Sequence, residues 1–206
     1  GFCMKYRSKK GFTLAELLIV VAIIAGLVAV AIPIFSSQLE KARQAVDLQN
    51  ARAIQSALTN AYSTGEIDFG TKANETHGYG VWVLICRDKN SKPQGYDTAE
   101  LQYNDSLFCG ANSGVLVKGV LTGDDMVYDT NVEVLLKESG INVESLKIRC
   151  KDSSNGKGWD WIVIQIGRYK DGTIESRIYS GFKGWSSSFQ INQSGNTNIE
   201  KIISGK

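Results

Sequence analysis

The chain has 206 residues, with 23 Lys plus Arg against 21 Asp plus Glu, and a formal net charge of +2. Four positive charges lie among the first ten residues, and residues 63–206 carry sixteen Lys plus Arg against eighteen Asp plus Glu. The positive balance therefore belongs to the N-terminus, and no basic face for nucleic-acid binding is indicated. The single histidine and the absence of a nucleophile elbow or a phosphate-binding glycine loop indicate that the chain is not an enzyme.

The first predicted element is an apolar helix. Residues 17–35 are nineteen consecutive residues without a charge, preceded by the mostly apolar residues 12–15. As a helix this run rises about 30 Å, the thickness of the hydrocarbon core of a bilayer. The basic residues before it favour a cytoplasmic N-terminus and place the rest of the chain outside. A secretory signal peptide cleaved after Ala29-Val30-Ala31 and a permanent single-pass anchor are two interpretations, but neither explains the acidic Glu16.

The residues around Glu16 give a third interpretation. Lys9-Lys10-Gly11, followed by Phe12-Thr13-Leu14-Ala15-Glu16-Leu17 and the apolar run, resembles the class III signal of type IV pilin precursors. The resemblance implies that residues 1–11 are a leader peptide, which prepilin peptidase removes by cleavage between Gly11 and Phe12. It also implies that the same enzyme methylates the new amine of Phe12.

Glu16 has two candidate roles, which do not exclude each other. A carboxylate facing lipid is costly unless it is paired, and the free amine of Phe12 in a staggered neighbouring subunit would supply the positive partner. Alternatively, Thr13 and Glu16 have the spacing of a capping box, in which the glutamate reaches back to the first amide of its own helix.

The helix is predicted to continue from Phe12 to about Tyr62, with residues 12–35 as the membrane and assembly half and residues 36–62 as an amphipathic half. Apolar residues recur at helical spacing in the second half, namely at Leu39, Ala42, Val46, Ile54, Ala57, Leu58 and Ala61. Most charged residues are expected on the other faces, Asp47 among them. Pro33 removes one backbone hydrogen bond from the helix. It is therefore either a flexible point that assembly uses or a kink in an ordinary membrane anchor.

Residues 63–206 are predicted to form a globular head. Short β-prone runs lie at residues 81–86, 115–121, 159–168, 173–179 and 189–191, and Lys170-Asp171-Gly172 marks a hairpin turn. A capping-box spacing from Thr130 to Glu133 starts a short helix that stops at Gly140. The predicted fold is α+β, a pilin-like long N-terminal helix packed on an antiparallel sheet, with enough chain for a second small lobe.

The cysteines leave several alternatives open. Without the leader the chain keeps Cys86, Cys109 and Cys150, an odd number for an extracytoplasmic domain. Two of them could form a disulfide and leave the third as a buried thiol, or all three could be free. Together with His77, the three thiols would also supply four ligands for a tetrahedral structural zinc, although no Cys-x-x-Cys pair is present.

The resemblance to type IV pilin precursors implies a structural subunit of a type IV pilus, and the large head favours the minor class. Its precursor is expected in the cell membrane, and the mature protein in an extracellular pilus that supports adhesion and twitching motility. The expected partners are prepilin peptidase, other pilin subunits, the membrane, and a host or cell-surface ligand of the head. The alternatives are a pseudopilin of a type II secretion or DNA-uptake system, and a membrane-anchored binding module that never polymerises.

Overall fold

A computed structural model describes residues 11–75, 78–151 and 158–183. Most of the leader, His77 and the strand predicted at residues 189–191 lie outside the described residues. The chain divides into two compact units, residues 1–39 and residues 40–206.

The prediction of one long N-terminal helix is confirmed, since α1 runs from Leu14 to Ser63. In the first unit, every described residue from 11 to 39 is exposed. In the second unit, the helix buries Leu48, Ala51, Ile54 and Leu58 in the core of the head. This is the α+β, pilin-like arrangement that the sequence predicts.

The buried face of α1 differs in part from the predicted one. Leu39 and Val46 are 40% and 42% exposed, whereas Asp47 is only 2% exposed. The buried face passes through Gln44, Asp47 and Leu48, so the predicted placement of Asp47 on a solvent face is wrong. The reason is that the Asp47 carboxylate accepts hydrogen bonds from three donors in the head, which are described below.

Besides two short 3-10 helices, Lys89–Ser91 and Val143–Ser145, the described part of the head contains seven strands and one further α-helix. They are β1 (Ile67–Asp68), β2 (Tyr79–Cys86), β3 (Leu107–Ala111), β4 (Leu116–Val117), β5 (Val120–Leu121), α2 (Thr130–Glu138), β6 (Trp161–Arg168) and β7 (Ile174–Gly181). A four-stranded antiparallel sheet has the order β3-β2-β6-β7, and a small sheet has the order β1-β4-β5. The predicted hairpin is confirmed, because β6 and β7 pair with Arg168 opposite Ile174 across the turn.

Both faces of the large sheet are covered. Along β2, Val81, Val83 and Ile85 lie in the same apolar cluster as the buried residues of α1. The alternate residues Trp82 and Leu84 lie in a second cluster on the opposite face. Strands that are buried on both faces read as nearly continuous apolar runs, which explains the sequence of β2 and β6. We call the face away from α1 the outer face.

Two local predictions need correction. The single strand predicted at residues 115–121 is a pair of two-residue strands, because Lys118 and Gly119 have φ values of 50° and 76° and form a tight turn. The short helix α2 is confirmed, but its N-cap is Asp129 and not Thr130. The Asp129 carboxylate accepts hydrogen bonds from the amides of Asn131 and Val132, at 2.8 and 3.1 Å.

Candidate functional site

The predicted processing point lies in an exposed segment just ahead of α1. Gly11, Phe12 and Thr13 are all exposed and precede the first helical residue, Leu14. The Phe12 side chain is 86% exposed. A peptide bond between Gly11 and Phe12 in this position is sterically accessible to an enzyme, and its use as a cleavage site stays a prediction.

Thr13 and Glu16 form a capping box at the start of α1. The Thr13 amide and hydroxyl donate to Oε2 of Glu16 at 2.8 and 2.9 Å, and the Glu16 amide donates to the Thr13 hydroxyl at 3.3 Å. Each side chain thus satisfies an amide that has no partner within the helix. The carboxylate is held at the first turn, where the helix dipole also favours a negative charge. Within one chain Glu16 therefore has the capping role, and its pairing with Phe12 of a neighbour stays a prediction.

The helix surface that follows Glu16 is apolar and uncovered. The helix is long and apolar enough to cross a membrane by length and composition, and none of its most apolar stretch is buried within the chain. Pro33 lies inside this helix. The large exposed side chains of α1 between residues 17 and 35 are Leu17, Leu18, Ile19, Val20, Val21, Ile23, Ile24, Leu27, Val28, Val30, Ile32, Ile34 and Phe35. An apolar surface this extensive is unfavourable in water, so it needs lipid or other apolar helices around it.

The three cysteines of the head are buried and free. Cys109 in β3 and Cys150 belong to the cluster that contains the α1 residues. Cys86, the last residue of β2, belongs to the cluster on the outer face. The three thiols are thus divided between two apolar clusters.

Burial also disfavours the thiolate form of these cysteines. It raises the pKa of Cys150 to about 12, and it raises the pKa values of Cys86 and Cys109 well above the usual range for a thiol. The thiolate is the form that attacks electrophiles and binds metals. A buried protonated thiol packs as a small apolar group.

The predicted zinc ligands are not assembled in the part of the chain that the structure describes. Among those residues, no group of three or more His, Cys, Asp or Glu side chains is arranged to hold a metal. His77, the fourth proposed ligand, lies outside them. The set of His77, Cys86, Cys109 and Cys150 therefore stays a prediction, as does a disulfide between two of the cysteines.

Asp47 forms a polar joint between α1 and the head that the sequence analysis missed. Its carboxylate accepts hydrogen bonds from the amides of Arg149 and Cys150, at 2.8 and 3.0 Å, and from the indole nitrogen of Trp159 at 3.0 Å. Burial raises the pKa of Asp47, while the bonds from Cys150, Arg149 and Trp159 oppose that rise. These hydrogen bonds attach the segment that precedes β6 to the helix at two places, Arg149-Cys150 and Trp159.

Arg87, which follows β2 in the sheet, binds the backbone at the same two places, Cys150 and Trp159. Its guanidinium donates to the carbonyl oxygens of Cys150 and Trp159, at 2.5 and 2.8 Å, and pairs with Asp160 at 3.0 Å. One acid and one base thus satisfy both the amide donors and the carbonyl acceptors of a buried backbone. A sequence signal for Asp47 existed, because it lies four residues before Ala51 and seven before Ile54, on the buried face of the helix.

Comparisons with known proteins agree with this arrangement. The family model described as "Prokaryotic N-terminal methylation motif" matches residues 6–32, which include Gly11, Phe12 and Glu16. The chain is 33% identical over 118 residues to the type IV major pilin protein PilA of Myxococcus xanthus (strain DK1622), covering 52% of this chain and 54% of that protein. The chain thus spans about half the length of the curated relative that it matches. No solved structure matches the chain significantly.

The matched motif lies where the structure places the capping box and the start of the uncovered apolar helix. The similarity extends over far more residues than the motif itself. The match to the prokaryotic N-terminal methylation motif, the long apolar helix on an antiparallel sheet, and the similarity to a major pilin together show that the chain is similar to type IV pilins.

Proposed function

We propose that the chain is a structural subunit of a type IV pilus, assembled through residues 12–35. The observation that carries the proposal is the capping box of Thr13 and Glu16 at the head of an apolar helix that no other part of the described chain covers. The proposed organisation is a leader at residues 1–11, an assembly half at 12–35, an amphipathic half at 36–62 and a displayed head at 63–206. The match to the N-terminal methylation motif supports this organisation.

Processing creates the charge that assembly uses. Cleavage after Gly11 frees the amine of Phe12, and an α-amino group has a pKa of about 7.7–8.0, so it is largely protonated at neutral pH. Inside the subunit, Glu16 caps its own helix. In the filament, the Phe12 ammonium of a staggered neighbour approaches this carboxylate, and the two charges neutralise each other within the apolar bundle.

Assembly replaces lipid around the helix with neighbouring helices. Because lipid tails are as apolar as Leu and Ile, close packing and the ion pair have to favour the filament over the dispersed precursor. Pro33 gives the helix a point at which its backbone can bend during this transfer. The precursor is thus a membrane protein that prepilin peptidase acts on, and the mature subunit lies on the cell surface with its head outward.

The relative is described as a major pilin, whereas the class predicted for this chain is a minor subunit. The size of the head led us to expect a minor subunit, and this stays a prediction. A pseudopilin would share the same N-terminal features. Shearing of whole cells separates the two, since a pilus subunit is released with surface filaments and a pseudopilin stays with the cell envelope.

The role of Glu16 can be tested by separating its charge from its capping function. Gln can replace Glu in a capping box, so Glu16→Gln keeps the cap and removes the charge. Thr13→Ala is the matched control, because it removes the threonine half of the cap and keeps the carboxylate. Both variants and Glu16→Ala are expressed in place of the wild-type chain, and membrane insertion and filament incorporation are measured by fractionation.

We expect all three variants to insert in the membrane. Glu16→Gln and Glu16→Ala should both lose filament incorporation, while Thr13→Ala should retain most of it. Normal incorporation of Glu16→Gln would show that the capping role alone suffices and would remove the ion pair from the mechanism.

A further inference from the structure

The exposed apolar side chains of the described head lie close together in the chain. Beyond α1, the large apolar residues that the described chain exposes are Val120, Leu121, Val127 and Val134. Val120 and Leu121 form β5, the edge strand of the small sheet, and are 51% and 65% exposed. Apolar side chains on an edge strand mark a place where another surface can pack.

An open groove of about 380 Å³ lies beside β5, at the start of α2. Leu121 and Val127 line it, and Val127 is 61% exposed. The charged groups of the groove are Asp124 and Asp129, whose carboxylates accept hydrogen bonds from backbone amides and from the Thr122 hydroxyl. Neither carboxylate has a basic partner among the described residues. A surface that fills this groove therefore needs apolar groups together with positive charges.

The segment before β6 carries three exposed bases. Burial alternates along residues 146–151, as in an extended chain whose successive side chains point to opposite sides. Leu146, Ile148 and Cys150 are buried, and Lys147, Arg149 and Lys151 are exposed. We call these three bases the basic stripe, because the alternation places them on one side of the segment.

Hydrogen bonds to α1 fix the backbone of the basic stripe. Asp47 and Glu40 accept from the three consecutive amides of residues 149–151. The Arg149 guanidinium donates to the carbonyl oxygen of Ser145 at 3.3 Å. In the described part of the chain, none of the three bases forms an ion pair. The stripe is thus held in place while its charges stay without a counter-charge.

The basic stripe has the chemistry that the groove requires. Lys and Arg carry long apolar stems below their charged heads, so the stems can cover Leu121 and Val127 while a head reaches Asp124. Val46, next to Asp47 on α1, is 42% exposed and adds an apolar side chain beside the stripe. The groove and the stripe are therefore complementary in charge and alike in apolar character.

We propose that the groove of one copy binds the basic stripe of the next copy in the filament. Because the two surfaces are different, the contact is heterologous, and each copy uses its groove toward one neighbour and its stripe toward another. Contacts of this kind produce an open helical filament when the rotation between copies does not close a ring. The filament also holds copies at a high effective concentration, which favours a copy over other basic surfaces. The inference rests on the proposed function and adds a contact between heads to the packing of the apolar helices.

Exchange of charges across the contact tests this inference. The groove variant, Gly123→Lys with Asp124→Lys, changes the charge of the groove from −2 to +1, and a side chain at position 123 meets nothing within 4 Å. The stripe variant, Lys147→Glu with Arg149→Glu, changes the charge of the stripe from +3 to −1. Each variant is expressed in place of the wild-type chain, as are both sets of changes in one chain and the two variants together in one cell. The yield of sheared filaments is measured relative to the subunit inserted in the membrane.

Two variants with the same changes in total charge are matched controls. Asp171→Lys with Asn90→Lys matches the groove variant, and the Asp171 carboxylate accepts from the amide two residues further on at 2.9 Å, as that of Asp124 does. Lys89→Glu with Lys170→Glu matches the stripe variant. All four control positions are exposed and lie outside the groove and the stripe.

We expect the groove variant and the stripe variant each to lower the filament yield about tenfold, because each places like charges opposite one another. The two controls should stay close to the wild-type yield. The chain with both sets of changes should recover most of the yield. The two variants in one cell should also recover it, because alternating copies then place opposite charges at every contact.

Normal yields for both variants, equal losses for the controls, or no recovery by either exchange would each overturn the inference. Recovery in the single chain but not in the mixed cells would show that the groove and the stripe pair within one chain, and would overturn it as well. A loss caused by the stripe variant alone would assign the stripe to another partner, such as the membrane surface. If the stripe variant does not accumulate in the membrane, Lys147→Glu with Lys151→Glu takes its place. Absence of the wild-type chain from filaments would overturn both this inference and the proposed function, whereas the other outcomes leave the proposed function intact.

Discussion

The joint at Asp47 gives the most direct test of how the head is attached to its helix. Asp47→Ala removes the acceptor of three N–H groups, those of Arg149, Cys150 and the Trp159 side chain. Each donor left unsatisfied in a buried place costs about 1–3 kcal/mol. The burial cost of the carboxylate, which is lost at the same time, offsets part of this sum. We expect a net loss of about 3 kcal/mol in the free energy of unfolding.

Asp47→Asn refines this expectation. The amide keeps the shape of the side chain and one acceptor oxygen, so it can still accept from Cys150 and Trp159. Its NH₂ group then faces the Arg149 amide, and one hydrogen bond is replaced by two opposed donors. We expect a loss of about 1–2 kcal/mol, clearly less than for Asp47→Ala.

Urea unfolding of the full-length protein in mild detergent, followed by tryptophan fluorescence, measures both variants. The transition midpoint should fall without a change in slope. Gln49→Ala, on the exposed face of the same helix turn, is the control and should change stability little. A loss below about 1 kcal/mol for Asp47→Ala, or an equal loss for both variants, would refute the proposed energetics of the joint.

Three further predictions follow from the described head. Gly181→Ala should destabilise the protein strongly, because its Cβ would lie 2.2 Å from the Trp161 ring. Gly123→Ala is the control and should have little effect, because nothing lies within 4 Å of its Cβ. Equal denaturation midpoints for the two variants would contradict this prediction. Thiol titration should find Cys86, Cys109 and Cys150 unreactive until the protein unfolds, and metal analysis of the same sample tests the predicted zinc, which requires one equivalent of metal and thiols that react only after chelation. Burial would raise the pKa of Glu133, but donation by Lys137, Tyr103 and Tyr128 outweighs it and lowers the pKa below the usual 4.5. The stability contributed by Glu133 is therefore present above pH 4.5 and is lost as the pH falls through the lowered pKa. Glu133→Gln should flatten the acid side of the stability profile, while the exposed Glu144→Gln should leave it unchanged.

Local sequence patterns were sufficient to predict the elements with strong periodicity. The nineteen uncharged residues and the apolar repeat after them predicted α1 within two residues at each end. The β6–β7 hairpin was predictable because a Lys-Asp-Gly turn separates two β-prone runs. The strand β3, Leu107–Ala111, was missed, since five residues with a glycine and a cysteine give no alternation.

Features that depend on distant residues were harder to predict. The burial of Asp47 depends on donors about 100 residues further along the chain, so its charge favours a solvent face even though its helical spacing matches the buried one. The placement of Cys86 and Cys109 in clusters on opposite faces of the sheet follows from the pairing of β2 and β3, which the sequence did not specify. The capping box at Thr13 and Glu16 was predictable because it is local. The ion pair between subunits is a property of two chains, and one chain cannot show it.

The central claim is that removal of the leader after Gly11 creates the charge that pairs with Glu16 in the assembled filament. Mass spectrometry of the protein isolated from sheared surface filaments tests it most directly. We expect a mature chain that begins at Phe12 and carries one extra methyl group on its amine. A chain that retains residues before Phe12, or that begins at any other residue, would contradict the account.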